Sequence, residues 1–227
     1  MKPQPSALPA PPFTREALAI LFARPYLRAF QKAGSPSHYW APLLSVCSGI
    51  RRNEIFFLRP QDVHLRKGVW CLHIAAAAAS RGMPGPCTRD IPMHPWLQRL
   101  GFLEFVDGRQ RSQPDDRLFS EYRAMGEQAG VLFSRNFVHW IKTTKEQLPA
   151  DQKLLFADDF HFPSLRALFL AEAMRSGMEA TVQRYIEGRG DEQMVGIEAV
   201  DRAIRNIDIE ASFPPLCLYA ELMANDE

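Results

Sequence analysis

Lysine is scarce in this sequence: six lysines stand against 21 arginines, and none falls between Lys67 and Lys142. An excess of charge is also missing. The 27 basic residues nearly balance the 26 acidic ones, so the chain lacks the bulk basic surplus common among nucleic-acid binders. The four cysteines (Cys47, Cys71, Cys87, Cys217) form no CxxC pair and no metal-ligand spacing. That argues against a structural zinc site and leaves buried or incidental reduced thiols. No apolar run approaches the 18 or so residues of a membrane-spanning helix. The N-terminus lacks a charged segment followed by an apolar one, so no membrane association is expected and the expected location is cytoplasmic. No internal repeat is visible.

Hydrophobic residues are plentiful, at 46% of 227 residues, enough for one large core or two small ones. Arginine's planar fork suits bidentate phosphate contacts, although a GC-rich genome gives the same bias. Residues 1–12, MKPQPSALPAPP, are too proline-rich for a helix or a ladder strand and read as a flexible arm or linker; residues 13–227 read as one domain.

Thr14 with Glu16 close behind signals a helix start, with Leu18, Leu21, Phe22 and Leu27 as its apolar face. A second helix is expected from Ser37, with Pro42 early in it, ending at Gly49. RRNEIFFLRPQDV predicts a short helix carrying Ile55, Phe56 and Leu58 and broken at Pro60. KGVWCLHI alternates and reads as a strand, with RDIPMHP as its hairpin partner. The alanine, glycine and proline stretch between them, AAAAASRGMPGPCT, fits neither element clearly. From PWLQRLGFLEFV onward the pattern is helical, punctuated by loops at 107–117, 149–163 and 188–194. The expected fold is mainly α with a small antiparallel β-sheet.

The order of these segments carries a resemblance. YWAPLLSVCSGIRRNEIFFLRPQDV resembles the opening of the tyrosine recombinase (phage integrase) catalytic domain, with its helix, Thr/Ser-Gly-x-Arg-x-x-Glu, Leu-Arg and Asp. VWCLHI and RDIPMHPWLQRLGFLEFV are similar to that family's β-hairpin and following helix, and RLFSEY resembles its Leu-Phe-Pro segment. FHFPSLRALFLAEAMRSGM sits where the family carries His-x-x-Arg-His, and AIRNIDIEASFPPLCLY is similar to its C-terminal tail. The resemblance covers roughly residues 13–219.

It implies a tyrosine-recombinase-like fold and DNA cleavage through a 3′-phosphotyrosine, with no metal and no cofactor. Two arginines would neutralise the scissile phosphate, a hairpin lysine would protonate the leaving oxygen, and histidines would assist. The arginines fall on Arg51, with Glu54 three residues later, and on Arg166. Taken alone, each is an ordinary helix-surface arginine. Arg52, Arg81, Arg89 and Arg189 are further phosphate-binding candidates.

The proton-handling positions depart from the family. The lysine position falls near Met83. Arg81 is close by, but a guanidinium is a poor proton donor. Pro163 replaces the first histidine, with His161 two residues earlier; Ala167 replaces the second, and Gly188-Arg189 stands for Gly-His. The tyrosine position falls near Ile197 or Glu198, which leaves Tyr185 and Tyr219 as out-of-place alternatives.

Three functions follow. The first is a catalytically inactive recombinase-like domain, active in recombination control, transcription or a mobile element, that binds DNA. It has only a proline-rich arm before it where the family has a clamping domain, so this binding should be weak and salt-sensitive. The second is a protein-interaction module that kept the fold, docking on itself or on a related recombinase through FPPLCLYAELM; a final helix packed on its own core is the ordinary reading of that tail. The third is an active recombinase using Tyr219 or Tyr185.

Overall fold

The computed structural model of the protein describes residues 13–23, 35–75, 88–156, 158, 160–189 and 195–216. The proline-rich arm, Leu27, Arg81, Met83, Cys87, Cys217, Tyr219 and nearly all of the alanine stretch lie outside these residues.

The N-terminal half follows its local signals. Helix α1 (Arg15–Leu21) is capped by Thr14, whose hydroxyl accepts from the Ala17 amide, and it buries Leu18 and Leu21. Helix α2 (Pro36–Ser48) opens on a proline, where a missing N–H costs nothing, and stops at Gly49, in left-handed conformation with φ +63°. A Cβ at Gly49 would lie 2.4 Å from the Phe169 ring. Only glycine both adopts that φ freely and admits so close a neighbour. Helix α3 (Arg52–Phe57) follows at once and buries Ile55 and Phe56.

Pro60–Asp62 form a 3₁₀ turn, and the chain then enters a three-stranded antiparallel sheet, β1 (Val63–Arg66), β2 (Val69–Ile74) and β3 (Arg89–Pro92), in the order β1-β2-β3. Strand β1 was not expected. It pairs with β2 through a two-residue turn in which Lys67 (φ 50°) and Gly68 (φ 79°) both have positive φ, the backbone that matches strand twist in a tight hairpin. The register sets Leu72 beside Ile91 and His73 beside Asp90. One face therefore carries Leu72, Ile74 and Ile91 into the core, and the other carries His64, Arg66, His73 and Asp90.

The rest is helical: α4 (Pro95–Arg99), α5 (Phe102–Ser112), a 3₁₀ stretch Ser120–Gln128, α6 (Ala129–Gln147), α7 (Ala150–Lys153), α8 (Pro163–Arg175), α9 (Ala180–Ile186), α10 (Ile197–Arg205) and α11 (Ile209–Ser212). Two expected loops are shorter than predicted. Helix α5 continues to Ser112, through Gly108, whose Cβ position faces open space. An Asp107–Arg111 ion pair and a Ser112 hydroxyl bond to the Gly108 carbonyl accompany that last turn. Helix α7 lies inside the segment predicted as the loop 149–163.

Helix α2 packs on α8, α3 on α6, and α10 on β3. An aromatic cluster fills the space between them. The Phe133 ring lies 4.9 Å from that of Phe56 and 5.0 Å from that of Phe162. Phe22 meets Phe213 at 5.1 Å, tying the end of α1 to the end of α11. Among the described cysteines, Cys47 and Cys71 are free and buried, and burial pushes both thiols up. No helix among the described residues is long and apolar enough to cross a membrane.

Candidate anion-binding site

The αL turn at Gly49 places Arg51 just before α3, and the packing of α2 against α8 brings Arg166 to the same spot. The two arginines, with Arg52, Asn53 and Ser45, line one pocket of about 280 Å³ whose remaining wall includes Phe162 and Ala167. Arg166 is anchored through its Nε. Its Nε donates to the Gly49 carbonyl at 2.7 Å, across 117 positions of sequence. Its Nη2 is buried and has no hydrogen-bond partner among the described residues. A buried donor left unpaired is costly, and here it belongs to a cation beside other cations. Burial, together with the charge of Arg51, pulls the Arg166 guanidinium down to about 10, and burial also lowers Arg52. Both remain protonated at neutral pH. An anion entering the pocket would relieve the repulsion between these cations.

Arg51 is oriented by Glu54. One carboxylate oxygen accepts from the Arg51 backbone amide at 2.6 Å, the other from its Nη1 at 3.2 Å. The Arg51 side chain keeps 21% exposure, against 0% for Glu54. Arg52 lies alongside, its Nε donating to the Asn53 side chain at 3.3 Å. The start of α6 presses close there, since a Cβ on Gly130 would fall 2.7 Å from that Asn53 oxygen.

The other candidates separate. Arg89 is not a phosphate contact: its side chain is 0% exposed and is taken up by Glu54 and by the Ile186 carbonyl. Arg189 is exposed and pairs with Glu187 at 3.4 Å; Glu187 in turn acts electrostatically on Arg166. Arg189 is not among the pocket's lining residues. Arg81 lies outside the described residues.

Pro163 occupies the first position of α8, and His161 bonds to the Ser164 hydroxyl at 3.0 Å. Ile197 is buried and Glu198 pairs with Lys67 at 3.3 Å. Tyr185 is 1% exposed, and its hydroxyl donates to the Asp90 carbonyl at 2.9 Å while accepting from the Asp90 amide at 3.1 Å. These two bonds pin β3 and take up the hydroxyl proton, and Tyr185 lies buried and is not among the residues lining the pocket. The described residues lining the pocket include no lysine, histidine, tyrosine or cysteine.

A second polar cluster escaped the sequence reading. On the outer face of the sheet, Asp90 accepts from His73 at 2.8 Å and from Arg66 at 2.6 Å, with His64 at 3.7 Å. Burial opposes ionisation of Asp90, but these partners outweigh it and hold the carboxyl below its usual value. The alternation of His64 with Arg66, once assigned to a strand, was the available signal. Among the described residues no group of three or more His, Cys, Asp or Glu side chains suits a metal ion.

Comparison with protein-family models, with curated proteins and with solved structures gives no match.

Proposed function

We propose that this protein is a DNA-binding domain resembling the tyrosine recombinase catalytic domain, one that grips a backbone phosphate without cutting the strand. The observation that carries the reading is the convergence of Arg51 and Arg166, far apart in sequence, on one pocket, with a buried Arg166 N–H left unpaired among the described residues. The order of helix, arginine, the β2–β3 hairpin and second arginine is the order on which the family resemblance rests, and it supports the reading. A guanidinium pair suits the delocalised charge of a phosphodiester. Strand transfer also needs a nucleophile and a proton donor tuned near neutral pH, and the pocket's described lining offers only the Ser45 hydroxyl and guanidiniums.

The test is binding of a short DNA duplex by fluorescence anisotropy across a salt series. Arg51→Ala should weaken binding irrespective of DNA sequence and make the salt dependence shallower by about 0.9 in log–log slope, the share of one phosphate contact. Arg51 is the residue to change, because Arg166 also anchors Gly49. No binding at low salt, or an unchanged slope in Arg51→Ala, would refute the reading. On a nicked suicide substrate no covalent adduct should form; a tyrosine-dependent adduct would overturn the non-cutting half.

A further inference from the structure

The pocket contains a problem of charge. Glu54 is needed to orient Arg51 through its backbone amide and its Nη1, yet a carboxylate bonded to an arginine cancels the charge a phosphate would seek. Arg89 answers this from beneath. Its Nη1 donates to Glu54 Oε1 at 3.1 Å and its Nη2 to Oε2 at 3.0 Å, and Nε is held by the Ile186 carbonyl at 2.9 Å. Each Glu54 oxygen thus accepts one bond from Arg51 and one from Arg89. The trio of two guanidiniums and one carboxylate is net positive by one charge. Arg89 and Glu54 are both sealed at 0% side-chain exposure, so Arg51 is the member of the trio that meets the pocket.

We propose that Arg89 is a positioning residue of the anion site, supplying the counter-charge to Glu54 so that Arg51 is held by the carboxylate and still acts as a net cation toward a phosphodiester. This rests on the reading of the pocket as a phosphate site. A buried glutamate with one arginine would orient a neutral pair, and a lone arginine would be charged and unfixed. The bidentate geometry of Arg89 also explains its type at this position, because a point-charge ammonium cannot meet both oxygens in one plane.

The experiment compares the wild type with Arg51→Ala, Arg89→Met, Arg89→Lys and the double variant Glu54→Gln/Arg89→Met. Two probes are used: inorganic phosphate at fixed ionic strength, read by its effect on melting temperature, and a DNA duplex over a salt series, read below the onset of unfolding. Arg89→Met should lose the phosphate-induced rise in melting temperature and show a DNA salt slope shallower by about 0.9. Adding Arg51→Ala to it should change the slope no further. Arg89→Lys, which keeps the buried charge, should retain the wild-type slope even where its melting temperature drops. The double variant removes both buried charges, leaves Arg51 its own, and should also bind with the wild-type slope.

A purely structural role would lower melting temperatures and leave the slopes of the folded proteins alone. The proposal is overturned if folded Arg89→Met binds as the wild type does, or if Arg89→Lys binds as weakly as Arg51→Ala. Should Arg89→Met not fold, the double variant decides: binding as weak as that of Arg51→Ala overturns the proposal. A wild type that takes up phosphate and ignores DNA refutes the DNA reading and leaves Arg89 to the phosphate arm. A wild type that binds neither refutes both.

Discussion

Replacing Gly49 with alanine tests whether the anion pocket depends on the tight approach of α2 to α8. Two penalties add. The residue sits at φ +63°, where an L side chain costs about 1–2 kcal/mol. The new Cβ would also lie 2.4 and 2.6 Å from two carbons of the Phe169 ring. That ring is 0% exposed and has no solvent to retreat into, so the helices must part; overpacking of this kind costs about 1–3 kcal/mol. The total, about 3 kcal/mol, corresponds to a fall of roughly 6–12 °C in melting temperature for a chain of this size. Urea unfolding followed by circular dichroism measures it. The Gly49 carbonyl anchors Arg166 Nε at 2.7 Å, so DNA affinity should drop in the fraction that remains folded. Gly49→Asn separates the two penalties, since asparagine tolerates the left-handed region but keeps the Cβ; it should recover less than half of the loss. A loss below about 0.5 kcal/mol in Gly49→Ala, the size of an ordinary surface substitution, would refute the packing argument. Full recovery in Gly49→Asn would reduce the effect to backbone strain alone.

Two further outcomes follow from buried groups. His94 caps α4 through Nδ1, which accepts from the Trp96 amide at 3.2 Å, while Nε2 faces the Ile207 carbonyl at 3.3 Å; one neutral tautomer serves both. Burial lowers the group from 6.5 to about 4, and the charges of Arg205 and Arg99 add to this against the Ile207 bond. The folded value lies below the unfolded one, so this stabilisation is complete above about pH 6.5 and is lost as pH falls toward about 4. Roughly 2 kcal/mol should disappear between about pH 7.5 and about pH 5, and His94→Gln should flatten that part of the urea-measured profile; parallel profiles for the two proteins would refute the assignment. Tyr185→Phe removes both bonds to the Asp90 backbone and should cost about 2 kcal/mol in the same assay. Its DNA affinity should match the wild type, and reduced affinity in the folded protein would contradict a purely structural hydroxyl.

The sequence announced Arg51 and Arg166 through the order of surrounding segments, and their meeting at one pocket follows from Gly49, itself legible as a helix stop. Arg89 was misread because charge type is visible in a sequence and burial is not. Its strand carries arginine and aspartate side by side, and register alone sends Arg89 inward to Glu54 and Asp90 outward to His73. Strand β1 was hidden by its brevity and by polar residues on its open face. The end of α5 falls inside the segment expected as the loop 107–117; the exposed setting of Gly108 lets the helix run on at modest cost. Tyr185 shows the converse limit: a tyrosine that spacing alone left available is buried, with its hydroxyl bonded to the Asp90 backbone.

The bonds that make the grip have an implication for biosynthesis. Arg166 reaches back across 117 positions to Gly49, and Arg89 is held by the Ile186 carbonyl, 97 positions later. A ribosome delivers Glu54 and Arg89 long before either distant partner emerges. Until α8 and α9 arrive, the emerging chain carries its arginines without the fixed geometry that joins them in one pocket. The two-arginine pocket is therefore completed late in the growing polypeptide, when its last third closes over the first, and a prematurely terminated product would lack it.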